Sequence, residues 1–409
     1  TTSMFTNTTG LENTGVGYNA LYYNQTGDWN VAIGRSAMTA NTTADNNTAV
    51  GGQALRANTT GAENVAVGHE AFLANTTAST GVAIGKSALK ANTTGANNIG
   101  IGYLALTTNT TGASNVAVGR NALELNTTAS NNTAVGMEAL YANTTGSENT
   151  ALGRDAMKAS TTGNQNSSVG VSALQNNTTG SANVAMGYFS LLANTTGVNN
   201  TSIGRGALST ITTAVNNTAV GHGALSGSTA DGNTAVGLAA GSGITSGQYN
   251  TTIGLVAGTV SNLTGSFNSS FGYNANPSAV GSSGQITLGD GNVGALRCNA
   301  SLSGLSDQRD KTDIVDLAYG LNFINQTRPV TFKWETRDGN TKDGKTHNGF
   351  LAQELLELGN NDQHNLVIEE NPDKLEASYG NLLPMMVKAI QELSTKNDAL
   401  EARITALEA

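Results

Sequence analysis

The tetrapeptide Asn-Thr-Thr-Gly, or a close variant, begins at residues 7, 24, 41, 58 and at each further step of 17 up to 211. A glycine that closes an apolar motif keeps the same step from Gly17 to Gly221. It then continues with slips at Gly237, Gly254, Gly272 and Gly289, which makes 17 copies. A unit this short cannot bury its few apolar side chains alone, whereas stacked units share one thin continuous core. It is also too short for a pair of helices. Its β-branched residues, alternation and glycine corners suit two short strands and two turns. One unit is therefore one coil of a parallel β-solenoid, and coils stacked about 4.8 Å apart would build a rod of roughly 80 Å.

The slot before the glycine is apolar in every regular copy, as in Val16, Ile33, Val50 and Val67, and the slot before that is small. A second apolar pair usually follows, as in Ala37-Met38 and Ala54-Leu55. The Asn-Thr-Thr side chains are expected to form ladders, each bonding its copy above and below. No proline occurs before Pro277, as expected where backbone N–H groups pair throughout.

Charge divides the chain. Residues 1–305 hold 9 Lys/Arg and 11 Asp/Glu, which leaves 11 and 18 for residues 306–409. Asparagine and threonine must solvate the first part. No basic block points to nucleic acid or an anionic membrane, and no apolar run is long enough to span a bilayer. The opening Thr-Thr-Ser-Met shows no signal-peptide pattern and suits a fragment of a longer protein. Cys298 is the single cysteine, so an internal disulfide and a cysteine-rich metal site are excluded; it reads as a small buried hydrophobe. No cofactor and no metal are expected.

Other features of the repeat have bland readings. Asn-Thr-Thr matches a glycosylation sequon, but a ladder accounts for it better. His69 and His222 occupy a variable slot and read as surface residues. A flat threonine face would suit ice, yet nothing in the pattern demands it. Tyr18, Tyr22, Tyr23 and Trp29 read either as a glycan-stacking patch or as a cover for the open end of the solenoid. Three regions follow: regular repeats over 1–236, irregular repeats forming a distal tip over 237–305, and a tail over 306–409. Slips in the second region are expected to break ladders and let loops project, among them Gly241-Ser242-Gly243 and Asn274 to Ser278; such loops read either as a receptor-binding site or as a plain cap of the solenoid.

The tail has ordinary globular composition. Val330 to Trp334 alternates like a strand, Asp338 to Gly344 is turn-forming, and Phe350 to Leu356 reads as a helix. From Leu383 a heptad places Leu383, Ile390, Asn397 and Ile404 at a, and Met386, Leu393, Leu400 and Leu407 at d. This predicts a coiled coil over about 383–409, or else an amphipathic helix packed on its own domain. Pro384 fits its first turn.

Two resemblances sharpen this picture. Asn30-Val31-Ala32-Ile33-Gly34, followed by Ala37, resembles the head repeats of trimeric autotransporter adhesins, left-handed parallel β-rolls that form trimers. Similar Asn-Thr-Thr-Gly repeats occur in phage tail fibres. The tail resembles the intramolecular chaperone auto-processing domain at the C-terminus of phage endosialidases, tailspikes and tail fibres. The residues that carry this are Ser306-Asp307-x-Arg309-x-Lys311, Gly349 to Glu354, Tyr379 to Leu383, and Ala389 to Leu393. Asp310 departs from that family, which more often has an apolar residue there. The fold implied is a mainly β, 17-residue-repeat solenoid shaft, trimeric, followed by a small α+β chaperone domain ending in a coiled-coil helix.

The function this resemblance implies is a phage tail fibre for host attachment, located in the virion. Its tail would drive trimerisation and then cut itself off between Leu305 and Ser306 as a single-turnover serine peptidase. Ser306 would attack the Leu305 carbonyl with Lys311 as general base, and Asp307 and Arg309 would support them. A lysine is a base near neutral pH only where burial or a nearby cation favours the free amine, a part that Arg309 would help to play. At five residues apart, Ser306 and Lys311 need an intervening turn, or a lysine from a neighbouring chain. The partners implied are other copies of the chain, a host-surface glycan or protein, and the virion tail or baseplate, with neither nucleic acid nor membrane insertion. The alternatives are a bacterial trimeric surface adhesin, which would need a membrane β-barrel, and a glycan depolymerase, which would need paired carboxylates. Glu63, Glu70, Glu138, Glu148 and Asp155 are single acids in variable slots.

Overall fold

The computed structural model describes residues 3–290, 293, 306–335, 344–358, 364–371, 373 and 375–408. Cys298, Leu305 and the turn-forming residues 338–343 lie outside them. The chain divides into two compact units, Thr1–Leu288 and Gly289–Ala409.

The first unit is a parallel β-solenoid of about 16 turns. Each coil gives one strand of three residues, from β1 (Thr14–Val16) to β17 (Ile286–Leu288), and all 17 strands belong to one sheet. Neighbours pair in parallel and in register: Val31 lies beside Thr48 and Ile33 beside Val50. The irregular steps do not disturb this. Thr218 still pairs with Thr234, and Thr251 with Ser269. A residue lost or gained is absorbed in the turns.

The expected second strand is absent. Its apolar pair sits in a tight turn where the larger residue takes a left-handed backbone, with φ of 48° at Met38 and Leu55 and 51° at Leu106. That conformation costs a residue with a Cβ about 1–2 kcal/mol. Full burial of the same side chain returns about 1.5–3 kcal/mol, and Met38, Leu55 and Leu106 are fully buried. The backbone N–H of Leu55 also donates to Ala71 O of the next coil at 3.0 Å. Burial outweighs strain, coil after coil.

The small slot, not the β-branched one, points inward. Ala32, Ala49 and Ala66 stand mid-strand and fully buried, packed with Met38, Leu55 and their copies. The residues before the glycines face out: Ile33 is 41 % exposed and Leu152 47 %. Each such glycine has a positive φ, and a Cβ there would strike the next coil; at Gly34 it would lie 2.5 Å from Gly51 O. These glycines therefore set both the corner and the coil spacing.

The asparagine ladder forms as expected. Nδ2 of Asn41 donates to Oδ1 of Asn24 at 2.8 Å, and Asn126 to Asn109 at 2.7 Å. The threonines behave differently: Thr59 Oγ1 donates to the backbone carbonyl of Thr76, and Thr76 Oγ1 to that of Thr93. An upright hydroxyl reaches the main chain of the next coil before it reaches the next hydroxyl. A second ladder runs before the strands, where the backbone N–H of Asn132 donates to Asn115 Oδ1 and that of Asn149 to Asn132 Oδ1. It carries on through the irregular copies to Asn268, so the slips do not break it. The first ladder is interrupted at Ser160, where Ser160 Oγ and Asn143 Oδ1 are buried without partners.

The early aromatics separate. Tyr22 stacks on Phe5 at 5.2 Å, while Trp29, on another corner, donates its indole N–H to Glu12 at 2.8 Å.

In the second unit, β18 (Val330–Phe332) pairs antiparallel with β19 (His347–Gly349), and β20 (Val367–Ile368) with β21 (Glu376–Ala377). Helices α1 (Leu321–Ile324), α2 (Ala352–Glu357) and α3 (Leu382–Glu408) complete it. A small core joins Phe323, Leu355, Leu366, Val367, Leu382 and Met385. Helix α3 buries Leu382, Met385 and Ala389. Its heptad residues lie on another face, where Ile390 is 66 % and Leu407 86 % exposed.

Candidate active site

The site begins at Ser306. Asp307 caps a single 3-10 turn, Gln308–Asp310. One of its carboxylate oxygens accepts the backbone N–H of Arg309 at 2.9 Å, and Lys311 N–H closes the turn on Gln308 O at 3.2 Å. Acid before a helical turn is a normal N-terminal cap, so the sequence carries the instruction to bend. The bend returns Lys311 to Ser306: Nζ lies 2.6 Å from Oγ and 3.4 Å from the Ser306 carbonyl oxygen. The intervening turn is thus supplied within the chain.

Arg309, expected to support the lysine, lies against Asp307. Its guanidinium pairs with Asp307, with Nη2 2.5 Å from Oδ2 and Nε 3.0 Å from Oδ1. This pairing holds the Asp307 carboxyl below its ordinary range and pushes Arg309 above its own. This neighbouring cation is paired with its own acid. Residues 306–316 are all exposed, including the apolar Ile314 and Val315. The chain turns inward only at Leu317 and Tyr319, which pack on the core.

The other motif residues act as braces. Gly349 pairs with Val330 across β18 and β19. Tyr379 donates its hydroxyl to Phe350 O at 3.3 Å. Asn381 Nδ2 donates to Asn365 O at 2.8 Å. Glu354 forms an ion pair with Arg328. Sequence reasoning gave Glu392 no role. Its Oε2 accepts the backbone N–H of Leu321 at 2.8 Å, at the start of α1. Only a glycine leaves room for this contact at position 320, where a Cβ would meet the Glu392 carboxylate at 2.5 Å. Among the described residues no group of His, Cys, Asp and Glu could hold a metal ion.

These features define a segment whose hydroxyl–amine pair, Ser306 and Lys311, opens a small α+β unit tied to a long helix. Residues 306–363 match the family described as chaperone of endosialidase, Peptidase S74. The match starts at Ser306 itself and stops short of the Tyr379 and Ala389 motifs. No curated protein matches the chain. The chain therefore joins a repeat β-solenoid to a C-terminal segment matching this family.

Proposed function

We propose that this chain is a phage tail fibre or tailspike shaft whose C-terminal unit promotes its assembly and then cuts itself away at Leu305–Ser306. The observation that carries the reading is the coincidence of the family match with the Ser306–Lys311 contact. In the free-amine form Lys311 takes the Oγ proton as Oγ attacks the carbonyl carbon of Leu305. The C–N bond breaks, the proton passes to the released amine of Ser306, and water hydrolyses the resulting ester.

Lys311 stands in solvent in one chain. Neighbouring copies would have to cover it before it acts as a base, which ties cleavage to assembly. The exposed heptad of α3 and the outward stripe from Val16 to Leu288 support a homotrimer. Parallel β structure with long-range pairing folds slowly, so a detachable trimerising tail has a physical use. Once cut, the shaft would persist by its unfolding barrier. Attachment to a host-surface glycan or protein, and to the virion tail or baseplate, belongs to the same reading. Glu70, Glu138 and Asp155 are engaged by lysines, which favours a binding shaft over a glycan hydrolase.

The test compares the full chain with Ser306→Ala and Lys311→Met by intact mass and by gels of heated and unheated samples. The parent should split into a resistant oligomer and a 104-residue fragment, while both variants stay whole. A parent that remains uncut once assembled would overturn the peptidase reading.

A further inference from the structure

The outward apolar stripe is flanked by two columns whose chemistry differs. On the side where the chain enters each strand, the two residues before the inward asparagine include Asp28, Asp45, Glu63, Glu148 and Asp231. From Leu11 to Gly284 these positions hold no lysine, arginine or histidine. On the side where the chain leaves, the residue after the glycine is Arg35, Lys86, Arg120, Arg154 or Arg205 in five coils. It is never acidic from Tyr18 to Tyr273. All five cations are exposed. Only Arg154 has an ion pair among the described residues, with Asp155 at 3.2 Å.

At some levels the two columns carry complementary groups, whereas Lys86, Arg120 and Arg205 stand at levels whose entering residues are uncharged. Asp28 and Arg35 flank β2 (Val31–Ile33), Glu63 and His69 flank β4 (Val65–Val67), and Glu148 and Arg154 flank β9 (Thr150–Leu152). Near the far end both columns become apolar. Tyr249 and Leu255 flank β15 (Thr251–Ile253), and Phe267 and Tyr273 flank β16 (Ser269–Phe271). These four side chains are exposed, and the Tyr249 and Phe267 rings stack at 5.3 Å.

Symmetry decides which columns meet. In a closed ring of parallel copies around an axis along the shaft, the entering side of one copy faces the leaving side of the next. In an antiparallel pair about a two-fold axis lying along the strands, entering faces entering, which sets acid against acid. Only the parallel ring brings opposite charges together at β2 and β9 and apolar groups together at β15 and β16. We propose that the acidic entering edge of one copy docks, level for level, on the basic leaving edge of a second copy. This rests on the reading of the shaft as an oligomer. The paired charges then fix orientation and register more than affinity, while the stripe supplies the apolar contact.

The test uses the full chain in a Cys298→Ser background with the double substitution Glu148→Cys and Arg154→Cys, treated with a short bismaleimide. A second pair, Tyr249→Cys with Leu255→Cys, repeats it at the other end. Each double variant should shift from the monomer band to dimer and trimer bands on a denaturing gel, and each single variant should not. Cross-linked dimers from Glu148→Cys alone would overturn the proposal, since like edges would then meet. An oligomer by native mass spectrometry with no link in either double variant would also overturn it, while leaving the oligomer reading intact. A monomer by native mass spectrometry would sink both.

Discussion

Asn132 in the shaft and Lys311 in the tail both hold a partner at short range, but their surroundings differ. Asn132 is fully buried: Oδ1 accepts the Asn149 backbone N–H at 2.9 Å, and Nδ2 donates to Gly146 O at 2.9 Å. Lys311 meets Ser306 in open solvent. Removing a partner from a buried pair leaves groups that water cannot reach, whereas an exposed pair trades places with water at little cost. The shaft's polar contacts are therefore structural within one chain. Those at the tail's opening turn gain force only when something covers them.

That contrast can be broken or sharpened by substitution. The largest effect is expected at Gly119, where φ is +139° and a Cβ would lie 2.4 Å from Gly136 O. Gly119→Ala should destabilise the shaft by about 3–5 kcal/mol, seen as faster unfolding and new proteolysis near that coil. Asn132→Ala should cost about 1–3 kcal/mol, because the buried Asn149 N–H loses its partner while Gly146 O keeps the Asn143 amide. Asp307→Ala in the exposed turn should leave stability nearly unchanged. Denaturant midpoints compare the two, and equal losses would erase the distinction between regions.

A repair should work in the opposite direction. Ser160→Asn fills the gap that leaves Asn143 Oδ1 without a donor and should add about 0.5–1.5 kcal/mol, read as a higher melting temperature. The smallest effect concerns pH. Glu138 takes the Lys158 ammonium at 2.5 Å, and this hydrogen bond holds its carboxyl below the usual range against the push of burial. A lowered carboxyl contributes stability above its unfolded range and loses it as pH falls through its folded one. Lys158→Met should therefore lower stability at neutral pH by at most about 1 kcal/mol, a difference that shrinks as acid protonates Glu138.

Much of the fold was legible, for reasons that particular residues make plain. The repeat spacing and the glycines gave coil, sheet and register, because only glycine tolerates the corner at Gly34. The second apolar pair was misread as a strand. Leucine rarely adopts a left-handed backbone, and nothing local to Leu55 announces that burial will outweigh the strain. The inward phase was also hidden. Ala32 and Ile33 alternate, and alternation alone does not say which neighbour faces the core; the residue packed from the turn, such as Met38, leaves room there for a small side chain, alanine at most levels and serine or threonine at Ser168, Ser202 and Thr252. At the site, Asp307 forms the cap that explains the turn, whereas the sequence marked it only as a supporting residue. The meeting of Ser306 with Lys311 rested on resemblance, since two residues five apart carry no period of their own. Glu392 was beyond reach because its partner lies 71 positions away.

The ladder that runs through Asn115, Asn132 and Asn149 has one further consequence. Each coil receives from the coil below the same bonds that it gives to the coil above. A whole coil added or removed between two such asparagines would leave every remaining bond with an equivalent partner. Length in this shaft is therefore a counting variable, adjustable in steps of 17 residues by duplication or loss of a unit, with the sheet, the core and the outward stripe each extended or shortened to match.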